Sequence, residues 1–142
     1  MRPRYRSFLL DSSAVSGIAR REKAMTPWLR VFHDHDAALY VSAATLVEVA
    51  DGTPNDARLR HVLKAMRVVE VDEAIGFEAG RRRAGASSRR RKIRDATIDA
   101  MVAATALTLP EPVAIVTSDV SDLSLLLADD GVDVVSVAGR HA

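Results

Sequence analysis

Short apolar runs alternate along the chain with longer stretches in which apolar residues recur every three or four positions. The short runs predict strands, and the longer periodic stretches predict helices. The predicted strands are residues 7–10, 38–43, 67–71, 113–119 and 132–137. The predicted helices are residues 13–24, 27–35, 45–52, 55–66, 72–85, 95–109 and 123–131. Strands separated by helices favour an α/β fold, with a parallel sheet of about five strands and helices on both faces.

The chain has 142 residues and is expected to form one domain, residues 1–142. A chain of this length buries roughly two-thirds of the surface that its unfolded form exposes. We find no internal repeat and no linker that would divide it. Within the predicted helices, Thr45 and Asp72 are placed to cap helix starts, and Gly52 is placed to end a helix.

Several classes of protein are disfavoured by what the sequence lacks. It contains no cysteine, which removes disulfides and thiolate metal sites. The basic start, MRPRYRSFLLDSS, has only a short apolar run, and Asp11 interrupts it, so no secretory signal peptide is expected. No stretch reaches the roughly 18 uninterrupted apolar residues of a membrane span. We therefore expect a soluble, cytoplasmic protein with no membrane partner.

The net charge of +1 conceals a separation of charges along the chain. Residues 81–94, RRRAGASSRRRKIR, hold eight Lys or Arg and no acid, which leaves 12 basic and 19 acidic residues elsewhere, a balance of −7. The segment is either a patch that contacts RNA phosphates or a solvated loop that balances an acidic body. The candidate RNA-binding residues are Arg89, Arg90, Arg91 and Lys92.

Acidic residues fall where a parallel sheet would collect them. Asp11 follows the first predicted strand, while Asp119 follows the fourth, with Asp122 three residues later. Because ligands bind beyond the carboxyl ends of parallel strands, these acids are expected at one crevice. Glu48 and Asp99 lie in apolar helical stretches, where we expect them to be partly buried. A carboxylate in apolar surroundings is costly unless it is paired or bound to a cation.

A cluster of such acids predicts a site for a hard divalent cation. A single Asp near a helix start most often caps the helix. For Asp122 and for Asp95, which lies one turn before Asp99, a capping or surface role and a role in the site are equally good interpretations. Two carboxylates about 4 Å apart repel by roughly 4 kcal/mol at an effective dielectric constant of 20. Oxygen ligands select Mg²⁺ or Mn²⁺. His33 and His35, two positions apart, cannot share one helix face, so a histidine metal site is disfavoured.

Four motifs together resemble those of a known family. They are LDSSAV at 10–15, TLVEVA at 45–50, IDAMVAATAL at 98–107 and VTSDVSDL at 116–123. In this order and spacing the chain resembles PIN-domain proteins, and closely the VapC ribonuclease toxins of bacterial type II toxin–antitoxin pairs. The resemblance covers essentially the whole chain. It implies a Rossmann-like sheet whose acidic pocket binds Mg²⁺, or Mn²⁺, and cuts RNA.

The resemblance also implies roles for individual residues and for partners. The implied catalytic acids are Asp11, Glu48, Asp99, Asp119 and Asp122. The implied metal ligands are Asp11, Asp99, Glu48 and Asp119. Ser12, Thr117 and Ser118 would support them through their hydroxyl groups. The implied partners are an RNA substrate, a cognate VapB-type antitoxin that blocks the pocket, and a second copy of the chain in a homodimer.

Two other functions stay open at this point. A PIN-like module could bind RNA without cutting it, although clustered carboxylates do not favour binding of a polyanion. A phosphatase with an aspartate nucleophile also begins with a strand that ends on Asp. That chemistry needs a second acid two residues later, and here Ser13 occupies the position. No sequence feature specifies the RNA target.

Overall fold

The computed structural model describes residues 4–87, 96–128 and 130–139. Several predicted functional residues lie outside the described residues, namely Asp95, Arg89, Arg90, Arg91 and Lys92. Their assignments therefore stay predictions.

Five strands form one parallel sheet. They are β1 (Ser7–Leu10), β2 (Ala38–Ser42), β3 (Arg67–Val69), β4 (Val113–Thr117) and β5 (Asp133–Ser136). Their order in the sheet is β3-β2-β1-β4-β5. Each predicted strand is present, and the α/β fold class is confirmed. In the register, Leu9 of β1 lies between Tyr40 of β2 and Ile115 of β4.

The described residues form seven α-helices, which connect the strands. They are α1 (Ser12–Ala19), α2 (Thr26–His35), α3 (Leu46–Val49), α4 (Asp56–Leu63), α5 (Glu73–Ser87), α6 (Thr97–Ala106) and α7 (Val120–Leu126). Asp72 caps α5 as predicted, because its Oδ1 accepts a hydrogen bond from the Ile75 backbone N–H at 2.9 Å. Every helix lies between strands, as in other sheets covered on both faces.

The two faces of the sheet carry separate hydrophobic clusters. Alternate residues of a strand point to opposite faces, so Leu9 and Ile115 belong to one cluster while Phe8 and Leu10 belong to the other. The first cluster includes residues of α5, α6 and α7. The second includes residues of α1, α2 and α4. The central strands are therefore buried on both sides, which explains their nearly continuous apolar sequences.

Several local predictions are wrong. Helix α3 ends at Val49 with Ala50 as its C-cap, so Gly52 does not end it, and the helix predicted over residues 123–131 spans Val120–Leu126.

The helix predicted over residues 13–24 ends at Ala19, because Arg21 has a left-handed backbone (φ 56°) that no α-helix continues. Thr45 does not cap a helix with its side chain, since its backbone is already helical. The cap lies three residues earlier, where Ser42 Oγ accepts a hydrogen bond from the Ala44 N–H at 3.1 Å.

Within the described ranges, no helix combines the length and the apolar character needed to cross a membrane.

Candidate functional site

The strand order creates a crevice between β1 and β4. The chain runs from β1 outward to β2 and β3 on one side, while β4 and β5 lie on the other. Such a switch point leaves a crevice beyond the carboxyl ends of the two central strands. Asp11 directly follows β1, and Asp119 follows β4 by two residues. The topology thus places residues more than 100 positions apart at the same edge of the sheet.

Asp11 is buried, although it carries a carboxylate. Only 4% of its surface is exposed, and its backbone begins α1. An Asp at this position usually accepts hydrogen bonds from the first N–H groups of its helix. The Asp11 side chain makes no such cap. Instead, Oδ2 accepts a hydrogen bond from Thr117 Oγ1 at 2.8 Å, while Oδ1 is buried with no hydrogen-bond partner in the described part of the chain.

The Thr117 hydroxyl links the two sides of the crevice. It donates to Asp11 and accepts a hydrogen bond from the Asp119 N–H at 2.9 Å. Thr117 is the last residue of β4 and is fully buried. One hydroxyl therefore fixes the side chain of Asp11 and the backbone that carries Asp119.

Three further carboxylates meet beside Asp11. Oxygen atoms of Asp99, Asp119 and Asp122 all lie within 4.8 Å of one another. Asp99 is in the first turn of α6, and Asp122 is in the first turn of α7. A helix N-terminus carries a partial positive charge, which favours a nearby acid by about 0.3–1 kcal/mol. Two unit charges 4.8 Å apart repel by about 3.5 kcal/mol at an effective dielectric constant of 20, so the helices offset only part of the repulsion.

The pKa of Asp99 records this crowding. The pKa is raised from 3.8 to about 7, first by burial and then by the negative charges of Asp11, Asp119, Glu48 and Asp122, in that order of effect. The pKa of Asp119 is also raised, first by partial burial, then by the charges of Asp122 and Asp11. Without a cation, Asp99 is therefore protonated in about half of the molecules at neutral pH.

Glu48 does not have the expected burial. The residue is exposed, because α3 is a single turn that buries none of its four residues. Asp119 is exposed as well. The charge of Glu48 nevertheless acts on Asp99, which places Glu48 at the same site.

The residues present fit a hard divalent cation. The donors are carboxylate oxygens, which suit Mg²⁺ or Mn²⁺ and not zinc. Buried polar atoms are nearly always satisfied, and Asp11 Oδ1 is buried without a hydrogen bond from the described residues. The donor chemistry and this unsatisfied oxygen point to the same kind of ligand.

Among the described residues, Thr117 is the one of the three expected hydroxyl residues whose side chain forms a hydrogen bond with an acid. Ser12 forms no side-chain hydrogen bond within the described ranges. Ser118 takes part through its backbone, whose N–H donates to Ser13 Oγ at 3.1 Å. Ser13 was therefore missed as a supporting residue. The sequence signal for Ser13 was its position two residues after Asp11, the acid that follows β1. The sequence does not show whether Ser12 or Ser13 faces the neighbouring strand β4.

The first part of the arginine-rich segment is helical and engaged in internal contacts. Arg82 pairs with both Glu78 and Asp130, which joins α5 to the end of α7. Arg81 also pairs with Glu78, at 2.6 Å. Arg83 donates to Thr97 Oγ1 at 3.0 Å. These three arginines therefore have a structural role besides any contact with RNA.

Comparisons with known proteins agree with the fold. The PIN domain family model matches residues 8–121. A chain of VapBC2 from Rickettsia felis, bound to a promoter DNA fragment, aligns over 92% of this chain and 98% of that chain, with 14% identity and a TM-score of 0.71. A chain of VapBC-1 from nontypeable Haemophilus influenzae aligns over 94% and 99%, with 16% identity and a TM-score of 0.67. A chain of FitAcB from Neisseria gonorrhoeae aligns over 89% and 95%, with 22% identity and a TM-score of 0.65. No curated protein matches the chain.

The raised pKa of Asp99 predicts that the metal-free protein loses stability as the pH rises. Between about pH 4 and pH 7 the folded protein keeps a proton at Asp99 that the unfolded chain has already lost. The free energy of unfolding in EDTA should therefore fall across this range. The fall should be smaller in Asp99→Asn, which should be more stable than the wild type at pH 8. Urea unfolding at pH 5 to 8 measures both effects.

The matched control is Asp34→Asn, which changes an exposed acid of α2 and should keep the wild-type pH profile. Superimposable profiles for the wild type and Asp99→Asn would contradict the strained carboxylate site.

Proposed function

Because the chain belongs to the PIN domain family, we propose that it is a metal-dependent endoribonuclease and the toxin of a VapBC-type toxin–antitoxin pair. The observation that carries the proposal is the cluster of Asp99, Asp119 and Asp122 at the switch point of the sheet, with the charge of Asp11 acting on Asp99 and Asp119. The similarity in fold between this chain and chains of VapBC and FitAcB structures supports the toxin assignment. The protein would act in the cytoplasm, where its RNA substrate is found.

The carboxylates would hold Mg²⁺ or Mn²⁺ in this proposal. A bound ion of this kind lowers the pKa of a coordinated water, orients the phosphate and stabilises the leaving oxygen. Asp11 would offer its free Oδ1, while Thr117 holds Oδ2 and so fixes the direction of the carboxylate. Asp99 would contribute a second ligand from the start of α6. Asp119 and Asp122 would complete the set of oxygens on the α7 side.

Glu48 would have a different role from the other acids of the site. It is an exposed residue on a one-turn helix and its charge acts on Asp99, so it would hold a water or a second cation at the rim of the site. Without a cation the acids repel the RNA backbone. The same negative charge would attract a basic side chain of a VapB-type antitoxin, which would block the pocket.

Replacing a metal-binding carboxylate should abolish RNA cleavage. Loss of an outer partner of a metal site typically lowers activity 10–100-fold, so Asp11→Asn and Asp99→Asn should each lower it by more than about 100-fold. EDTA should have the same effect on the wild type. The measurement is the initial rate of cleavage of a labelled RNA with Mg²⁺, and the products should carry a 5′-phosphate and a 3′-hydroxyl.

Asp34→Asn again serves as the control and should cleave at the wild-type rate. Wild-type activity in Asp99→Asn would refute the site assignment. RNA binding with no Mg²⁺-dependent cleavage would favour a non-catalytic module, and cyclic 2′,3′-phosphate ends would indicate acid–base chemistry. A covalent phosphate on Asp11 would support the phosphatase alternative.

The homodimer that the family resemblance implies would have a candidate interface on α5. Phe77 is 76% exposed there, on a groove of about 550 Å³ that it lines with Glu73, Gly76, Gly80 and Arg81. A Cβ atom added to Gly76 or Gly80 would meet nothing within 4 Å. Each interior helix glycine costs about 1 kcal/mol relative to alanine. Among the described residues, no packing requires these glycines, and the open space beside them would admit close approach of another surface.

We propose that a second copy of the chain occupies this groove. If two α5 helices pack antiparallel about a two-fold axis, Phe77 of each copy fits over Gly80 of the other. Burying an exposed Phe side chain contributes about 1.5–3 kcal/mol per copy.

Phe77→Glu should therefore convert a dimer into a monomer, which sedimentation equilibrium measures directly. Leu29→Glu is the matched control, since Leu29 is half exposed on α2, and it should leave the dimer intact. A dimer that survives Phe77→Glu, or a wild type that stays monomeric, would exclude this interface.

A further inference from the structure

A groove of about 480 Å³ lies at the amino ends of the strands, on the edge of the sheet opposite the acidic site. Residues before β1, β2 and β4 and the first residue of β3 form its walls. We call it the arginine groove. It is lined by Arg4, Tyr5, Arg6, His35, Asp36, Ala38, Tyr40, Arg67, Pro110 and Pro112.

The three arginines of this groove keep most of their charge available. Arg4 donates from Nε to the His35 carbonyl at 2.8 Å and from Nη2 to the Asp34 carbonyl at 3.4 Å, contacts that hold the side chain but neutralise nothing. Arg67 lies over the Tyr40 ring, 5.8 Å from its centre. Within the described ranges, neither Arg6 nor Arg67 forms a side-chain hydrogen bond or an ion pair.

The remaining polar groups leave the groove basic. Asp36 is the acid that lines it, against three guanidinium groups. His35 Nδ1 accepts a hydrogen bond from the Tyr5 N–H at 2.9 Å, so a neutral His35 carries its proton on Nε2 and has a further N–H to donate. Outside residues 81–94 the sequence has a net charge of −7, whereas the groove carries a net positive charge.

We propose that the arginine groove binds phosphate groups of single-stranded RNA away from the catalytic acids. Guanidinium groups bind phosphate oxygens through paired N–H donors. Arg6 lies just before β1 and Arg67 begins β3, two strand spacings across the sheet and three residues along it, so their backbones are about 14 Å apart. Charges spread over this width suit a chain of repeated phosphates better than a single carboxylate.

This inference rests on the proposed ribonuclease function, because it assigns a second contact to the same substrate. The acidic site and the arginine groove are separated by the four residues of β1, about 13 Å at the usual rise per residue. An RNA segment held in the groove stays clear of carboxylates that would repel it. A longer RNA could thus be retained while the acidic site exchanges cleaved ends.

The test is the salt dependence of RNA binding in EDTA, where no metal-dependent cleavage occurs. Fluorescence anisotropy of a short labelled single-stranded RNA gives the binding constant at a series of KCl concentrations. Each phosphate contact contributes about 0.7 to the slope of log K against log salt for a single strand. The double variant R6Q/R67Q should therefore lower the slope by about 1.4, while R6K/R67K, which retains the charges, should keep the wild-type slope.

The matched control is R30Q/R58Q, which removes two exposed arginines of α2 and α4 outside the groove and should leave the slope unchanged. An unchanged slope in R6Q/R67Q, or an equal fall in the control, would overturn the proposal. Inorganic phosphate titrated against the backbone amide spectrum is a second arm. Shifts at Arg6 and Arg67 with phosphate, but no effect of R6Q/R67Q on RNA binding, would assign the groove to free phosphate and refute the RNA site.

Because binding is measured without metal, this result is independent of cleavage. A chain that binds RNA through the groove but never cuts it would refute the proposed enzyme and leave the groove intact.

Discussion

Repulsion between carboxylates at one end of the sheet is the constraint on which the rest of the site depends. Asp99, Asp119 and Asp122 are held with oxygens within 4.8 Å, and the charge of Asp11 acts on two of them. Proximity of these carboxylates does not stabilise the folded protein when no cation is bound. The packing of α6 and α7 on the sheet maintains it, and the large clusters of buried apolar residues supply the stability that makes it possible.

The parallel topology explains how such a site arises from distant parts of the sequence. Strands β1 and β4 are neighbours in the sheet although they are about 100 residues apart, and both end at the same edge. The Thr117 hydroxyl then couples the two strands at their ends. The helix N-termini at α6 and α7 face the acids with their partial positive charge. The fold thus brings the acids together and offsets part of their repulsion, and a divalent cation would offset the rest.

The sequence predicted the features that follow from periodicity and from position after a strand. These predicted features are the five strands, their parallel arrangement and the placement of Asp11 and Asp119 at one edge of the sheet. It did not predict features that depend on side-chain direction. Whether Glu48 is buried depends on the length of a one-turn helix, and whether Ser12 or Ser13 faces β4 depends on the direction in which α1 leaves the strand. The arginine groove also escaped prediction, because Arg6 and Arg67 meet only through the strand order.

The central claim is that the acids at the switch point form a site for one or more divalent cations. Anomalous diffraction from crystals soaked in Mn²⁺ tests it most directly, since Mn²⁺ can replace Mg²⁺ at oxygen ligands. We predict a strong anomalous peak bounded by Asp11 Oδ1 and by carboxylate oxygens of Asp99 and Asp119. A soaked crystal without a peak at this position, or with Mn²⁺ bound only elsewhere on the surface, would contradict the account.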